Sequence, residues 1–338
     1  MKSEIRIAAI GVGSLGFLHA KNLLTKIESA KLVKVVASRR ESAEQAAMKL
    51  GIEKWSTNPD EVFADPAIDA VIITTPNSTH VQLIKGAAQS KKHIFVEKPI
   101  TQTIEEAHDV IQTIKNHHVF CQVGFMRRFD PAYVEAKKRI AAGDIGNPIF
   151  FKGVSRDPGS PPASYIKNSG GIFLDFTIHD YDLARFLMDS EVDSIRTMGS
   201  VLQYPYLKKF NDLDQALTYL SFESGAAGDI ESSRNAGYGY DVRAEIIGTE
   251  GTIQIGSLQN HNIRILSKKG STYDIIPEYQ TRFKDAFELE LQHFVDCLVS
   301  GERPACTEID GLRALEIATA ANESFLLKKE MKLIHSLV

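Results

Sequence analysis

An aspartate and a histidine four residues apart, Asp175 and His179, are the residues of this chain best suited to acid–base chemistry. They follow the glycine pair Gly170-Gly171 and precede an apolar, helix-compatible run from Tyr181 to Met188. On a helix, positions i and i+4 share a face, so both side chains are expected to point into one cleft. An imidazole supported by a carboxylate is suited to moving a proton near neutral pH.

Two other interpretations of this pair stay open. His179 can be a buried histidine that is simply satisfied at a helix–sheet interface. It can also be a metal ligand beside Asp175 and Asp182, but a catalytic metal usually needs three protein ligands at defined spacing, and no firm third is present. The sequence therefore predicts no metal centre.

A glycine pattern near the N-terminus predicts a dinucleotide site. The apolar run Ile5–Ile10 predicts a buried strand, G-x-G-x-x-G follows at once, and apolar residues at helical spacing come next. These glycines allow a tight turn, close approach to a pyrophosphate and close helix packing, while the helix N-terminus attracts phosphate. A glycine-rich turn that binds nothing is the alternative. The predicted cofactor-binding residues of this loop are Gly11, Gly13, Ser14, Leu15 and Gly16.

Two further polar segments follow predicted strands. Glu97-Lys98-Pro99 comes after His93–Val96, and ligands of open α/β sheets bind beyond the carboxyl ends of strands. Lys98 is therefore placed to donate a hydrogen bond to a hydroxyl or carbonyl oxygen, although a solvated lysine is the simpler alternative. The loop from Thr74 to His80 either lines the cofactor or only caps the next helix. The predicted cofactor contacts of these segments are Thr75, Pro76, Asn77, His80, Glu97 and Lys98.

The order of the predicted elements indicates two domains, as expected for 338 residues. Strands and helices alternate up to residue 123, which predicts an α/β fold with a Rossmann-type doubly wound parallel sheet over 1–123. Beyond it, strand-like runs and polar turns predict an α+β domain with a largely antiparallel open sheet over 124–338. Two long amphipathic helices are expected near Phe283–Val299 and Ile309–Leu327.

Composition argues against several classes of function. The net charge is −4 and no long basic run occurs, so neither nucleic acid nor an anionic membrane is an expected partner. No apolar stretch reaches transmembrane length, and the N-terminus has no signal-peptide layout, so a cytoplasmic protein is expected. The odd number of cysteines fits no metal knuckle and predicts thiols in a reducing compartment; they are Cys121, Cys297 and Cys306.

Taken together, these motifs resemble one family over nearly the whole chain, the Gfo/Idh/MocA dehydrogenases. The resemblance rests on the glycine loop, the loop ending in His80, Glu97-Lys98-Pro99 and the pattern GG-x3-D-x3-H. Within that family the chain is most similar to the inositol 2-dehydrogenases. The stretches that carry this closer likeness are Gly124–Asp130, Ser155–Pro158, Ser169–Phe173, Ile178–Asp180 and Tyr238–Asp241.

This resemblance implies an NAD(P)-dependent oxidoreductase that oxidises one ring hydroxyl of a cyclic polyol, myo- or scyllo-inositol, to the ketone. It implies a catalytic group in which His179 accepts the hydroxyl proton, Lys98 hydrogen-bonds the reacting oxygen and Asp175 orients the histidine or binds a neighbouring hydroxyl. Further polyol contacts are implied for Arg127, Asp157 and Tyr240. It also implies a homo-oligomer, often a tetramer, assembled through the sheet of the second domain.

One segment departs from the family's NAD-specific members, which usually carry an acid at the end of the second strand. Here the strand is followed by Ser38-Arg39-Arg40. Ser38 leaves room, and either arginine can pair with the 2′-phosphate of NADP(H). Stacking on adenine or exposure to solvent is the alternative for both arginines. The expectation is that NADP(H) is accepted, with NAD(H) not excluded.

Two rival functions stay open. A related aldose dehydrogenase for glucose or xylose would use the same catalytic group with a different pocket. A non-catalytic NAD(P)-binding sensor would use the fold without turnover, but it has no need of the proton-transfer group formed by Lys98, Asp175 and His179.

Overall fold

The computed structural model describes residues 3–335, which form two compact units. Among the described residues, the first unit comprises 3–126 together with Asp285–Leu315, and the second comprises Arg127–Lys284 together with 316–335. The expected division into 1–123 and 124–338 differs from these units in two respects: the boundary lies after Met126, and Asp285–Leu315 returns to the first unit. That segment contributes apolar side chains to the core of the first unit.

The described residues form strands and helices with the following bounds. The strands are β1 (Ile5–Ile10), β2 (Ala30–Val36), β3 (Trp55–Ser56), β4 (Ala70–Ile73), β5 (His93–Glu97), β6 (Cys121–Gly124), β7 (Pro148–Arg156), β8 (Val192–Ser200), β9 (Gln215–Phe222), β10 (Ala227–Ser233), β11 (Asp241–Gly248), β12 (Thr252–Ile255), β13 (Ile265–Ser267), β14 (Gly270–Thr272) and β15 (Met331–Lys332). The α-helices are α1 (Ser14–Thr25), α2 (Arg40–Leu50), α3 (Asp60–Phe63), α4 (His80–Gln89), α5 (Ile104–His117), α6 (Pro131–Ala141), α7 (Ala163–Ser169), α8 (Ile178–Met188), α9 (Tyr279–Arg282), α10 (Lys284–Ser300) and α11 (Glu308–Leu327). Short 3₁₀ turns cover Asn77–Thr79, Met126–Phe129 and Pro205–Phe210, and a π-helical turn covers Ile172–Thr177.

The first unit contains a six-stranded sheet in the order β3-β2-β1-β4-β5-β6. Every pair of neighbouring strands is parallel. The chain first moves outward from β1 through β2 to β3, and then returns to the other side of β1 at β4. This is the doubly wound Rossmann arrangement that the alternating pattern predicted, and the prediction is confirmed.

Apolar strand residues build the core of the first unit. Ile7, Ile72 and Phe95, on β1, β4 and β5, belong to one buried cluster, and Leu291 and Phe294 of α10 belong to the same cluster. All five side chains are fully buried. This buried cluster fixes the positions of β1, β4 and β5. The predicted cofactor loops follow the carboxyl ends of these three strands.

The second unit contains a seven-stranded sheet in the order β12-β11-β7-β10-β9-β8-β15. The pair β7–β10 is parallel, and the other neighbours are antiparallel. The expected largely antiparallel sheet is therefore confirmed, with one parallel pair at its centre. A separate two-stranded hairpin joins β13 and β14.

Several elements of the second unit lay outside the sequence-based expectation, among them β8, α7 and β15. Strand β8 mixes polar and apolar residues, helix α7 is only seven residues long, and β15 has two. None presents the long apolar run or clear period by which an element is recognised in a sequence. Within the described residues, no helix combines the length and apolar composition needed to cross a bilayer.

Candidate active site

The glycine loop of the first unit has the geometry that its spacing predicted. Gly11 has φ +100°, and a Cβ there would lie 2.6 Å from the carbonyl oxygen of Thr74. A Cβ at Gly16 would overlap the hydroxyl of Thr74, which itself donates to the Gly11 carbonyl at 3.0 Å. Both positions therefore require glycine because the turn and the first helical turn of α1 press against the end of β4.

The second glycine of the loop plays a different part. A Cβ at Gly13 would meet no atom within 4 Å, so this residue borders open space. Gly13 is the N-cap of α1, and Ser14 and Leu15 form the first turn, where N–H groups point out of the helix. Open space beside a helix N-terminus suits the pyrophosphate of a dinucleotide. The loop therefore fits the cofactor that its sequence predicts.

The loop after β4 is joined to the Glu97-Lys98-Pro99 segment by a buried histidine. Nδ1 of His80 lies 2.9 Å from the carbonyl oxygen of Pro99, and Nε2 lies 3.1 Å from that of Thr75. Burial outweighs these carbonyl contacts and lowers the pKa of His80. The structure thus brings Thr75 and His80 together with the turn that carries Lys98.

The alternative for this loop was that its side chains only cap helix α4. Thr79 precedes α4 but makes no side-chain cap hydrogen bond. Its hydroxyl contacts Thr75 Oγ1 at 2.7 Å and donates to the Pro76 carbonyl at 2.8 Å. The polar side chains therefore hold the loop itself, in which Pro76 precedes the 3₁₀ turn that begins at Asn77.

The two candidate arginines in the segment after β2 have different surroundings. Ser38, Arg39 and Arg40 are all exposed. The guanidinium carbon of Arg40 lies 5.5 Å from the ring centroid of Trp55, a cation–π distance. Arg39 is the N-cap residue of α2 and leaves its side chain in solvent. Arg40 therefore has an aromatic contact, and a 2′-phosphate contact of Arg39 stays a prediction.

Glu97 at the end of β5 has a buried partner that sequence reasoning missed. Oε1 of Glu97 lies 2.8 Å from Nε2 of His19 on α1, and Glu290 of α10 adds a third buried titratable group beside them. Lys98 follows directly, and the Lys98–Pro99 peptide bond is cis. His19 comes three residues after Gly16, a signal that was available, whereas Glu290 has no local motif.

Asp175 and His179 lie in the second unit, on a segment that begins as a π-helical turn. Gly170 and Gly171 have φ +84° and +83°, so the two glycines are required for the entry into this turn. Asp175 lies inside Ile172–Thr177, and His179 lies in the first turn of α8, 9% exposed. The expectation of regular α-helical spacing between them is wrong, because a π-helical turn is wider than an α-helical one.

Three hydrogen bonds define the surroundings of this segment. The hydroxyl of Tyr165 on α7 donates to Oδ1 of Asp175 at 3.0 Å. Asp212 accepts the backbone N–H of Ile172 at 2.7 Å through Oδ1, while its Oδ2 accepts from Nη1 of Arg234 at 2.6 Å. Asp212 and Arg234 are buried, so an ion pair anchors the start of the turn that carries Asp175.

The three predicted polyol contacts have different environments. Nη1 of Arg127 donates to Asp180 at 2.6 Å and to Ser155 at 3.2 Å, and Arg127 is only 2% exposed. Tyr240 is also buried, and burial raises the pKa of its hydroxyl. Asp157 is half-buried. Asp157 therefore has the most accessible side chain of the three, and the polyol contacts stay predictions.

Two family models match the chain. The model described as the NAD-binding Rossmann fold of the GFO_IDH_MocA oxidoreductase family matches residues 5–125. The model described as the C-terminal alpha/beta domain of the same family matches residues 137–333. The two matches fall in turn on the six-stranded parallel sheet and on the mixed sheet.

Individual proteins are similar over almost their full length. A scyllo-inositol 2-dehydrogenase (NAD(+)) of Bacillus subtilis is 54% identical, with 96% of this chain and 95% of that protein covered. A myo-inositol 2-dehydrogenase of Thermotoga maritima is 38% identical, with 97% and 98% covered. The structure of scyllo-inositol dehydrogenase from Lactobacillus casei with bound NAD(H) and scyllo-inositol has a TM-score of 0.92 at 34% identity, covering 97% of this chain and 99% of that one.

Proposed function

Because this chain belongs to the Gfo/Idh/MocA oxidoreductase family, with an NAD-binding Rossmann unit, we propose that it is an NAD-dependent inositol 2-dehydrogenase. It oxidises a CH–OH group of the inositol ring to the ketone. The observation that carries the proposal is the 54% identity, over 96% of the chain, to a relative named as a scyllo-inositol 2-dehydrogenase. The same name makes scyllo-inositol the first substrate to test.

Proton transfer is assigned to residues of the second unit. His179 accepts the proton of the reacting hydroxyl, a role that suits an imidazole near neutral pH. Asp175 is already engaged by the Tyr165 hydroxyl at 3.0 Å, so its carboxylate is held in one orientation. From that orientation Asp175 either directs the imidazole or accepts a hydrogen bond from a neighbouring ring hydroxyl.

Cofactor binding and orientation of the reacting oxygen are assigned to residues of the first unit. Lys98 donates a hydrogen bond to the reacting oxygen and favours its negative charge as the proton leaves. The glycine loop and the start of α1 hold the dinucleotide phosphates. The loop of Thr75, Pro76, Asn77 and His80 lines the cofactor. When bound, the nicotinamide supplies the hydride acceptor, and that chemistry is its own.

The choice between NAD and NADP is a finer proposal. The Bacillus relative is named for NAD(+), which supports NAD as a cofactor here. The exposed Arg39 after β2 supports additional acceptance of NADP, because a guanidinium can pair with a 2′-phosphate. We therefore propose that NAD is used and that NADP is accepted.

A homo-oligomer formed through the sheet of the second unit is also proposed. Met198, Leu217 and Tyr219 are 58%, 43% and 48% exposed on β8 and β9, and Met198 pairs directly with Leu217. Neighbouring exposed apolar residues on a sheet face are typical of a surface that a partner covers. Sedimentation velocity on the purified chain tests this, since a monomer at micromolar concentration contradicts it.

A cytoplasmic location is also proposed, supported by three buried free cysteines.

An absorbance assay at the reduced-nicotinamide band tests the function. It offers scyllo-inositol, myo-inositol, glucose and xylose, each with NAD and with NADP. Turnover on an inositol supports the proposal and identifies the isomer and cofactor together. Turnover on glucose or xylose alone would replace the substrate and keep the mechanism. Cofactor binding without turnover on any of the four would favour the non-catalytic sensor.

A further inference from the structure

Three titratable side chains meet in the interior of the first unit, behind the segment that carries Lys98. They are His19 on α1, Glu97 at the end of β5 and Glu290 on α10. Their ligand atoms all lie within 4.8 Å of one another, and the residues are 0%, 7% and 0% exposed. Two carboxyl groups in one buried space carry a large energetic penalty if both are ionised.

The surroundings identify which carboxyl group is ionised. Glu97 has a partner, because Nε2 of His19 lies 2.8 Å from its Oε1. Neither carboxyl oxygen of Glu290 has a hydrogen-bond partner among residues 3–335. Burial, and then the charge of Glu97, raise the pKa of Glu290 well above its ordinary value. Glu290 is therefore the carboxylic acid of the pair.

A bound metal ion is the competing occupant of such a cluster. A histidine that binds a metal nearly always donates its second ring N–H to a carboxylate, a carbonyl or water. Nδ1 of His19 has no such partner among residues 3–335, and the ring is instead packed edge-on against Phe95 and Phe287. A proton on Glu290 removes the charge repulsion between the two carboxyl groups and needs no such outer support.

The cluster is packed directly against the ends of β5 and β6, and β5 leads into the turn that carries Lys98. A Cβ at Gly124, which pairs with Glu97 between β5 and β6, would lie 3.0 Å from the Glu97 carboxyl carbon. The Glu97 side chain thus occupies the space that this glycine leaves open. Gln122 on β6 also donates to the backbone carbonyl of Glu290 at 2.8 Å. A change of charge on Glu290 therefore acts on Glu97 at close range, one residue before Lys98.

We propose that Glu290 holds a proton throughout the working range of the enzyme and is a positioning residue, which keeps Glu97 directed at His19 and thereby fixes the turn that carries Lys98. When Glu290 ionises, its charge repels the Glu97 carboxylate, and the Glu97–Lys98 backbone shifts. The titratable groups that face Glu290 are His19 from α1 and Glu97 from β5. Only Glu97 adds a charge effect to its burial.

The proton is tested with Glu290→Gln, which keeps the shape and cannot ionise. Glu288→Gln, on the same helix but half-buried, is the matched control. The infrared carbonyl band of a protonated carboxylic acid, present at neutral pH in the parent, should disappear in Glu290→Gln and persist in Glu288→Gln. Elemental analysis of the purified protein should find no stoichiometric metal. An unchanged infrared spectrum, or one metal per chain lost in Glu290→Gln, would overturn the proposal.

The pH dependence of stability gives a second readout. The folded state holds the Glu290 proton up to a higher pH than the unfolded chain, so the parent loses stability as pH rises from about 4.5 through the raised pKa. The melting temperature of Glu290→Gln relative to the parent should therefore increase with pH across that window. The same difference for Glu288→Gln should stay flat. A constant offset for Glu290→Gln would contradict the proposal.

Turnover tests the positioning role and rests on the proposed inositol dehydrogenase function. The protonated fraction of Glu290 falls about tenfold per pH unit above its pKa, so the ratio of kcat for Glu290→Gln over kcat for the parent should rise towards that slope at alkaline pH. The KM for inositol should not follow this trend. If this kcat ratio stays flat with pH while the infrared band is lost, Glu290 is a buried acid without a positioning role. That result would overturn the positioning part of the proposal. Absence of turnover in the parent would instead count against the proposed function, since the infrared and melting readouts need no substrate.

Discussion

The hydroxyl of Tyr165 donates a hydrogen bond to Oδ1 of Asp175 at 3.0 Å, across the Gly170-Gly171 turn that separates the two residues in the chain. Tyr165 lies on α7, a short helix that the sequence pattern did not predict, and it is 50% exposed. Partial burial, and then the charge of Asp175, raise the pKa of the tyrosine, so it stays a neutral donor. The proposed catalytic carboxylate is therefore oriented by a side chain from another helix.

Removing that donor should slow the reaction without unfolding the protein. We expect Tyr165→Phe to lower kcat about fivefold, the equivalent of about 1 kcal/mol for one lost hydrogen bond at a half-exposed site. Tyr273→Phe removes an exposed hydroxyl elsewhere in the second unit and should leave kcat unchanged. Steady-state turnover with scyllo-inositol measures both variants. Equal kcat values for Tyr165→Phe and the parent would show that Asp175 needs no orienting partner.

Loss of the proposed base should have a larger effect. His179→Ala is expected to reduce kcat by ~10²–10⁴-fold, the usual range for removing an acid–base group. His261→Ala, at an exposed position in the same unit, is the control and should keep the parent rate. Binding of reduced cofactor, followed by its fluorescence, should be retained in both variants. Near-normal turnover of His179→Ala would remove this histidine from the mechanism.

The two arginines after β2 should differ in their effect on cofactor choice. Arg39 is exposed, so Arg39→Ala is expected to lower kcat/KM for NADP about tenfold to a hundredfold, the loss of one charge-assisted bond. Its kcat/KM for NAD should stay within about twofold. Arg40→Ala removes the stack on Trp55 and should affect both cofactors alike. Equal losses for both cofactors in Arg39→Ala, or a parent that does not use NADP, would contradict the 2′-phosphate interpretation.

The sequence predicts the first unit better than the second for a physical reason. The strands β1, β4 and β5 are buried on both faces, so they read as continuous apolar runs and were placed within one or two residues. Strand β8 lies in a sheet with one exposed face and has a polar, irregular pattern, so it was missed. The π-helical turn at Ile172–Thr177 was also missed, because the sequence spacing fits a regular α-helix and Asp212, which accepts the N–H of Ile172, lies 40 residues away in the chain.

Long-range contacts set the other limit. The glycine loop could be predicted, because three glycines at fixed spacing indicate a tight turn and close backbone packing. The His19–Glu97 contact joins residues 78 apart, and Glu290 lies on a helix from the far end of the chain, so no local pattern reports the cluster. Arg127 reads in the sequence as an available cation, and only the structure shows that it is buried against Asp180.

The ion pair between Arg234 and Asp212 should be essential for the stability of the second unit. Both residues are buried, at 1% and 4% exposed, and Asp212 also accepts the N–H of Ile172 at the start of the π-helical turn. Arg234→Ala leaves a buried carboxylate without its cation, which typically costs ~3–5 kcal/mol. Lys85→Ala breaks the exposed Lys85–Asp109 pair, and such pairs contribute about 1 kcal/mol or less.

Urea unfolding of the two variants separates these cases. Arg234→Ala should shift the midpoint well below that of the parent, and the shift should exceed that of Lys85→Ala several-fold. Because Asp212 holds the turn that carries Asp175, kcat of Arg234→Ala should also fall under conditions where the variant is still folded. A midpoint equal to that of Lys85→Ala would show that Asp212 finds another donor and that the turn is held by the Gly170-Gly171 backbone instead.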